Sequence, residues 1–333
     1  MFNRWAMGPL MYDAGEGMAW SGGGDGGRSF EGLRNDYPWL LAILESHRSQ
    51  CDPHNAQTGR RFNVAGNDVV CMKCKTTIAD WQQDRKSNQA VGVIGFGNFG
   101  QFLARHLARA FHSVAVADVI QREKEATKFC LNWASLEEAA SKEIVVLAVP
   151  FQNLEQLLKQ VSSSFRQNSL VVDVCSVKQL PIKLMRELLP PSVEIIGTHP
   201  LFGPQSAKNG LGEHRVVICP ERVSDLRSAK MQSLLTHGFG LRTLERDAET
   251  HDREMATVQA LTHFVARGLA GCGIQQSGLA TVAFEKLCEA AELLGGDSWE
   301  LFQTIELGNP FAAEIRARFM EELQQLERRL GER

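Results

Sequence analysis

Two short polar segments interrupt apolar runs in the middle of the chain, and both carry side chains suited to handling a proton. The first is Asp173-Val174-Cys175-Ser176-Val177-Lys178; the second is Gly197-Thr198-His199-Pro200-Leu201-Phe202-Gly203-Pro204-Gln205-Ser206. A His followed by a proline at a sheet edge is well suited to exchange a proton near neutral pH. A Ser hydroxyl such as that of Ser176 can orient such a His or bind an oxygen of a small molecule. Lys178 and Gln205 fall in the same segments and are further candidates for substrate binding. Each has a plain alternative when taken singly: a lone His is more often structural, and Ser-Val-Lys is ordinary turn chemistry.

Upstream, Gly95-Phe96-Gly97-Asn98-Phe99-Gly100 follows the apolar run Val91-Gly92-Val93-Ile94 and opens an amphipathic segment. A Gly-x-Gly-x-x-Gly between a strand and a helix is a phosphate cradle for a dinucleotide. Gly95 permits the tight turn, Gly97 lets the backbone approach a pyrophosphate, and Gly100 lets the helix pack close to the sheet. The helix N-terminus offers free N–H groups and a positive dipole end to the phosphates. Asp118 closes the next strand, eighteen residues after Gly100. An acid there accepts hydrogen bonds from a ribose 2′-hydroxyl and repels a 2′-phosphate, so NAD is preferred, with NADP the alternative through Arg122 or Lys124.

The elements that must position these groups are legible as apolar runs alternating with helical periodicity. Runs at residues 91–94, 113–118, 144–150, 170–174, 193–197 and 215–218 read as strands of a mainly parallel sheet buried on both faces. Three helices follow, at residues 250–270, 280–294 and 310–330. The expected fold is α/β, a Rossmann-type domain over residues 89–246 followed by an all-helical domain over 247–333 that carries substrate contacts and dimerises. Residues 1–34 hold nine of the 29 glycines, a composition that predicts disorder.

Residues 35–88 form a separate module with Cys51, His54, Cys71 and Cys74. Two ligand pairs on either side of a short hairpin fit a structural zinc ribbon; the alternative is unrelated polar loop residues. Five of the eight cysteines lie in apolar runs, which argues for a reducing compartment rather than a disulfide scaffold. A net charge of −3 argues against nucleic acid as a partner. No apolar stretch reaches the roughly 18 residues of a membrane span. The N-terminus lacks a secretory signal. Residues 1–34 contain few acids, as plastid transit peptides do, but are Gly-rich rather than Ser- and Arg-rich. Cytoplasm and plastid therefore both stay open.

Read together and in order, these motifs resemble the prephenate/arogenate dehydrogenase family, closest to its plant-type arogenate members. The resemblance runs over about residues 90–330. It rests on Ile94-Gly95-Phe96-Gly97-Asn98-Phe99-Gly100-Gln101-Phe102-Leu103-Ala104, Ser176-Val177-Lys178, Thr198-His199-Pro200, Phe202-Gly203-Pro204-Gln205-Ser206, Thr262-His263 and Gly296-Asp297-Ser298. It implies that His199 accepts the proton of the substrate's ring hydroxyl and that Ser176 binds the same hydroxyl. It also implies that Asp297 selects arogenate, whose ammonium a carboxylate can pair with, over prephenate; the alternative is a helix N-cap at Asp297 or Ser298. His263 and Arg267, four apart on one helix face, are candidates for a substrate carboxylate, with a core or interface role as the alternative. The chain departs from plant members in having Asp118-Val119 where they tend to carry Ser-Arg and prefer NADP, and in Leu201 where Met is frequent. The rival within the family is a prephenate dehydrogenase, and the rival outside catalysis is a protein that senses a dinucleotide without turning it over.

Overall fold

In a computed structural model of the chain the described residues are 10–13, 17–20, 62–65 and 68–71, of which only the backbone is considered, together with 87–208 and 210–332. Two compact units divide at Ser87. The first contains a four-stranded sheet of β1 (Leu10–Asp13), β2 (Gly17–Trp20), β3 (Phe62–Ala65) and β4 (Asp68–Cys71), in the order β2-β1-β3-β4 and antiparallel throughout. Strands β1 and β2 fall within residues 1–34, where composition predicts disorder. Leu10-Met11-Tyr12 and Met18-Ala19-Trp20 are apolar and aromatic enough to pair, and a glycine count taken over the whole segment hides them. Cys51, His54 and Cys74 of the expected metal set lie outside the described residues, while Cys71 ends β4.

The second unit is built on an eight-stranded sheet in the order β12-β11-β10-β9-β8-β5-β6-β7. Its strands are β5 (Ser87–Ile94), β6 (Phe111–Ala117), β7 (Asn132–Trp133), β8 (Ile144–Leu147), β9 (Leu170–Asp173), β10 (Glu194–Pro200), β11 (Arg215–Arg222) and β12 (Arg242–Glu245). From β7 to β10 the order is that of a doubly wound dinucleotide fold, with the switch point between β5 and β8, where a crevice opens at the carboxyl ends of the strands. Ladders β5–β8, β8–β9 and β9–β10 are parallel; β10–β11 is antiparallel. The sheet is therefore mixed, with β11 and β12 extending one edge.

The helices are α1 (Asn98–Ala110), α2 (Glu123–Lys128), α3 (Leu136–Ala140), α4 (Phe151–Val161), α5 (Gln179–Leu188), α6 (Asp225–Ser233), α7 (Ala248–Met255), α8 (Thr262–Gly271), α9 (Val282–Gly295), α10 (Trp299–Gly308) and α11 (Ala312–Gly331). Helix α1 buries Gly100, Ala104 and Leu107, a 3.6-period stripe, and stops where Phe111 turns extended and begins β6. Helix α4 buries Leu154, Leu157, Leu158 and Val161 against Val145, Leu147 and Val171 of the sheet. Truncating any of these leucines to Ala costs roughly 2–5 kcal/mol. The opposite face is filled by Val91, Val93, Val116 and Val146 under α1.

The single helix expected at residues 250–270 is a continuous helical run from Ala248 to Gly271, capped by the Asp247 carboxylate on Thr250 N (2.8 Å). It contains a wider π-helical stretch at Ala256–Leu261. That stretch resets the helix phase between His251 and Asp252 on one side and His263 and Ala266 on the other, so that all four are buried. Helix α10 follows Gly296-Asp297-Ser298, where the sequence offers a helix N-cap.

Candidate active site

The glycine turn has the geometry that its spacing demands. Gly95 sits at φ +100°, and a Cβ there would lie 2.3 Å from the Ala148 carbonyl oxygen. A Cβ on Gly100 would lie 1.9 Å from the Gly95 carbonyl, so only glycine lets α1 start this close to the strand. Gly97 has nothing within 4 Å of its missing Cβ. It opens α1 with no side chain capping the first turn. Unpaired N–H groups beside open space form the cradle that a pyrophosphate fills, and the residues present fit a dinucleotide.

Asp118 lies against this turn. One carboxylate oxygen accepts Phe96 N at 2.6 Å and the other accepts Ile120 N at 2.9 Å. The acid is thereby pinned at the tip of β6, beside the loop. Asn98 is exposed and Phe99 half-buried, but Phe96 turns inward, fully buried and edge-on to Trp133. Of the six fingerprint positions, Phe96 contributes backbone only.

His199 lies near the end of β10 and is 3% exposed. Its Nδ1 is 2.9 Å from Nε2 of His251, and the Nδ1 of His251 is 2.8 Å from Oδ1 of Asp252. The same Oδ1 accepts Lys178 N at 2.7 Å, and Oδ2 accepts Gln179 N at 2.9 Å, at the start of α5. Burial first, then electrostatic interaction with His251, Lys178 and His263, holds the His199 pKa well below the usual histidine range. A neutral imidazole at neutral pH is the form that can accept a proton. Sequence reasoning did not single out His251 or Asp252; an adjacent His-Asp pair on an expected helix carries no signature of its own.

Lys178 is a correction. Its side chain is fully buried, ion-paired with Asp173 and donating to the Thr198 carbonyl at 2.7 Å, so the ammonium is unavailable to a substrate. The cause is local: Asp173 ends β9 on a buried carboxylate, and the nearest cation in the chain folds back to neutralise it. Thr198 Oγ1 donates to the Asp173 carbonyl at 2.6 Å. The segment holding half-buried Ser176 is thus tied at both ends to the strand that carries His199. Gln205 is exposed in the turn after β10.

Asp297 is 29% exposed at the entry to α10. The N-cap is Ser298, whose hydroxyl accepts Leu301 N at 3.2 Å, so the carboxylate of Asp297 is not used for capping. His263 Nδ1 lies 3.7 Å from Asp297 Oδ2. Arg267 donates to the Asp297 carbonyl at 2.8 Å and lies over the Phe302 ring at 4.6 Å. Burial lowers the His263 pKa, with Asp297 opposing and Arg267 adding to the shift. Because the charge of His263 is felt at His199, this acid–base cluster and the histidine pair share one electrostatic neighbourhood.

An apolar cavity of about 80 Å³, lined by Phe99, Val174, Thr198, Pro200 and Phe202, lies beside these elements. Strand alternation puts His199 on the face opposite Thr198 and Pro200, so the cavity is separate from the histidine chain. Among the described residues no cluster of three His, Cys, Asp or Glu side chains could hold a metal ion.

A doubly wound α/β unit with a glycine cradle, an acid at the second strand and a buried neutral His defines a dinucleotide-binding protein with acid–base machinery. Residues 103–242 match the family described as prephenate dehydrogenase, nucleotide-binding domain, and residues 268–333 match one described as TYRAAT1-like, C-terminal domain. The chain is 32% identical to arogenate dehydrogenase 1, chloroplastic, of Arabidopsis thaliana, over 70% of this chain and 38% of the relative. It is also 32% identical to arogenate dehydrogenase 2, chloroplastic, of the same plant, over 69% of this chain and 67% of the relative. The crystal structure of Synechocystis arogenate dehydrogenase superimposes with a TM-score of 0.56 at 22% identity, over 73% of this chain and 92% of that one. The chain belongs to the prephenate/arogenate dehydrogenase family. It spans little more than a third of the first Arabidopsis relative and two thirds of the second.

Proposed function

We propose that the chain catalyses the oxidative decarboxylation of L-arogenate to L-tyrosine with NAD(P) as hydride acceptor. The observation that carries the reading is a buried, neutral His199 in the same neighbourhood as an uncapped carboxylate at Asp297. The turn Gly95–Gly100 and Asp118 would hold the dinucleotide, whose nicotinamide would supply the acceptor for the hydride of the hydroxyl-bearing ring carbon. His199 accepts the hydroxyl proton, and Ser176 holds the same oxygen in line. The ring carbonyl that forms is a vinylogous sink for the electrons released as carbon dioxide leaves, and aromatisation drives that loss. The protein's share is positioning and one proton acceptor.

Asp297 pairs with the side-chain ammonium of arogenate and offers nothing to the keto group of prephenate. Steady-state rates with both substrates and both cofactors test this. The expected result is a preference for arogenate that Asp297→Asn reverses or abolishes; a clear preference of the wild-type chain for prephenate overturns the substrate assignment. Asp118, pinned beside the glycine loop, favours NAD over NADP.

Three further readings belong to the same proposal. Met320, Leu323, Leu326 and Leu330 are exposed along α11, and a second copy of the chain is the partner that covers them. The word chloroplastic in the Arabidopsis relatives' names favours the plastid over the cytoplasm. A structural zinc on Cys51, His54, Cys71 and Cys74 is supported by their spacing around the β3–β4 hairpin. About one zinc per chain, lost in a Cys71→Ser/Cys74→Ser variant, is the expected elemental analysis.

A further inference from the structure

His199 has two ring nitrogens, and only one can meet the substrate as a base. Its Nδ1 is taken by His251 Nε2, and His251 Nδ1 faces Asp252. A carboxylate only accepts, so the proton between His251 and Asp252 belongs to His251 Nδ1. Neutral His251 then presents a lone pair at Nε2, and the proton between the rings belongs to His199 Nδ1. The lone pair of His199 is left on Nε2, away from the pair.

The far end of this chain is fixed more firmly than a structural histidine requires. Asp252 is fully buried and accepts two main-chain N–H groups, those of Lys178 and Gln179, at the N-terminus of the ten-residue helix α5. That terminus favours negative charge. Asn309 Nδ2 donates to the Asp252 carbonyl at 2.7 Å and holds the backbone in place. The orientation of His251 is thus set by β9–α5, by α7 and by the residue after α10 together.

We propose that His251 is a positioning residue that locks His199 in the Nδ1–H tautomer and, as His199 takes up the hydroxyl proton, relays positive charge toward Asp252. The proposal rests on the dehydrogenase reading above. The proton balance is simple. One proton arrives at His199 Nε2, and the Nδ1 proton of His199 passes to His251 Nε2. His251, still protonated at Nδ1, becomes the imidazolium in contact with the Asp252 carboxylate. Nothing is oxidised or reduced in this step. The charge gains by moving. On His199 it is buried and lies near the Lys178 ammonium, both of which disfavour protonation there. On His251 it touches Asp252, with His199 neutral on the other side.

Two variants and one spectroscopic measurement test the proposal. His251→Phe removes the acceptor, and kcat is expected to fall by about 10²–10⁴-fold with KM and cofactor Kd within about twofold. His251→Gln can still accept from His199 Nδ1 through its amide oxygen but cannot carry the charge. It should recover part of kcat and shift the acid limb of the kcat–pH profile. Nitrogen NMR of histidine-labelled wild-type protein should show His199 protonated at Nδ1 and His251 protonated at Nδ1, and His199 should lose that single form in His251→Phe. An unchanged kcat in His251→Phe overturns the relay. So does a His199 found in the Nε2–H form, or a loss of kcat that tracks loss of melting temperature and that His251→Gln fails to rescue. If the wild-type protein turns over neither arogenate nor prephenate, the dehydrogenase reading fails, while the NMR result still decides the tautomer lock.

Discussion

The ammonium of Lys178 is ion-paired with Asp173, and neither side chain has any exposed surface. Burial pushes the Asp173 carboxyl up, and the Lys178 charge opposes that shift. The pair ties the end of β9 to the start of α5, with Ser176 held between. Removing one partner leaves an uncompensated buried charge. Lys178→Met is therefore expected to lose about 3–5 kcal/mol of stability, whereas Asp173→Leu/Lys178→Met together should lose much less. Urea denaturation of the three proteins checks this; equal losses in the single and the double variant would argue against it.

Gly97 and Gly100 separate the fold from the ligand. A methyl at Gly97 meets nothing within 4 Å, but a methyl at Gly100 lies 1.9 Å from the Gly95 carbonyl oxygen. Gly97→Ala should melt like the wild-type protein and bind NAD about tenfold or more weaker, because the methyl stands where the pyrophosphate approaches. Gly100→Ala should lose roughly 1–3 kcal/mol of stability as α1 is pushed away. Calorimetry and cofactor titration distinguish the two. A Gly97→Ala protein with undiminished affinity would remove the cradle from the binding account.

Asp118 gives a prediction about cofactor choice. Its two oxygens already hold Phe96 N and Ile120 N, so it cannot swing away from the ribose without releasing the glycine turn. Asp118→Asn keeps an acceptor but removes the charge. The ratio of kcat/KM for NADP over NAD should rise by about tenfold or more, a difference of roughly 1.4 kcal/mol in recognition. An unaltered ratio, or a wild-type preference for NADP, removes Asp118 as the discriminating group.

How much of this was legible in the sequence differs by element. The strand–turn–helix from Val91 to Ala110 and the acid at Asp118 were readable because each glycine and the apolar run obey a local steric rule. Ser176 and His199 stood out only as polar residues at strand ends. The antiparallel direction of β11 had no local mark, since Arg215–Arg222 reads like any buried strand and β10 is followed by the turn at Pro204–Lys208 rather than by a crossover helix. Lys178 was misassigned because sequence shows a charge without showing that Asp173 lies buried five residues earlier. His251 and Asp252 acquire a role only when α7 packs on β10 and α5, a contact between parts of the chain some fifty to seventy residues apart. The π-helical stretch that phases them is a tertiary accommodation with no composition of its own.

The histidines predict how stability depends on pH. Burial lowers the pKa of His199 and His263; charged neighbours add to the shift at His199, whereas at His263 Asp297 opposes it and Arg267 adds to it. His106 in α1 is lowered to about 4, by burial first and then by Arg109 and Arg105. In the unfolded chain each titrates near 6.5, so below that pH the unfolded state binds more protons than the folded one. Stability from these groups is present above pH 6.5 and is lost as the pH falls toward their folded values. The ceiling is about 1.4 kcal/mol per pH unit for a fully buried group such as His199, and less for His106, which solvent reaches. Asp173 and Glu306, whose carboxyls burial pushes up, act with the opposite sign, so the histidine part is read as a difference. Between pH 8 and 5 the wild-type melting temperature is expected to hold and then decline. His106→Gln, which cannot titrate, should decline less steeply below pH 6.5 and match the wild-type slope above pH 7. Parallel curves over the whole range would mean that His106 charges in the folded protein as freely as in water, contrary to its setting beside two arginines and the edge of the Phe102 ring at 4.7 Å.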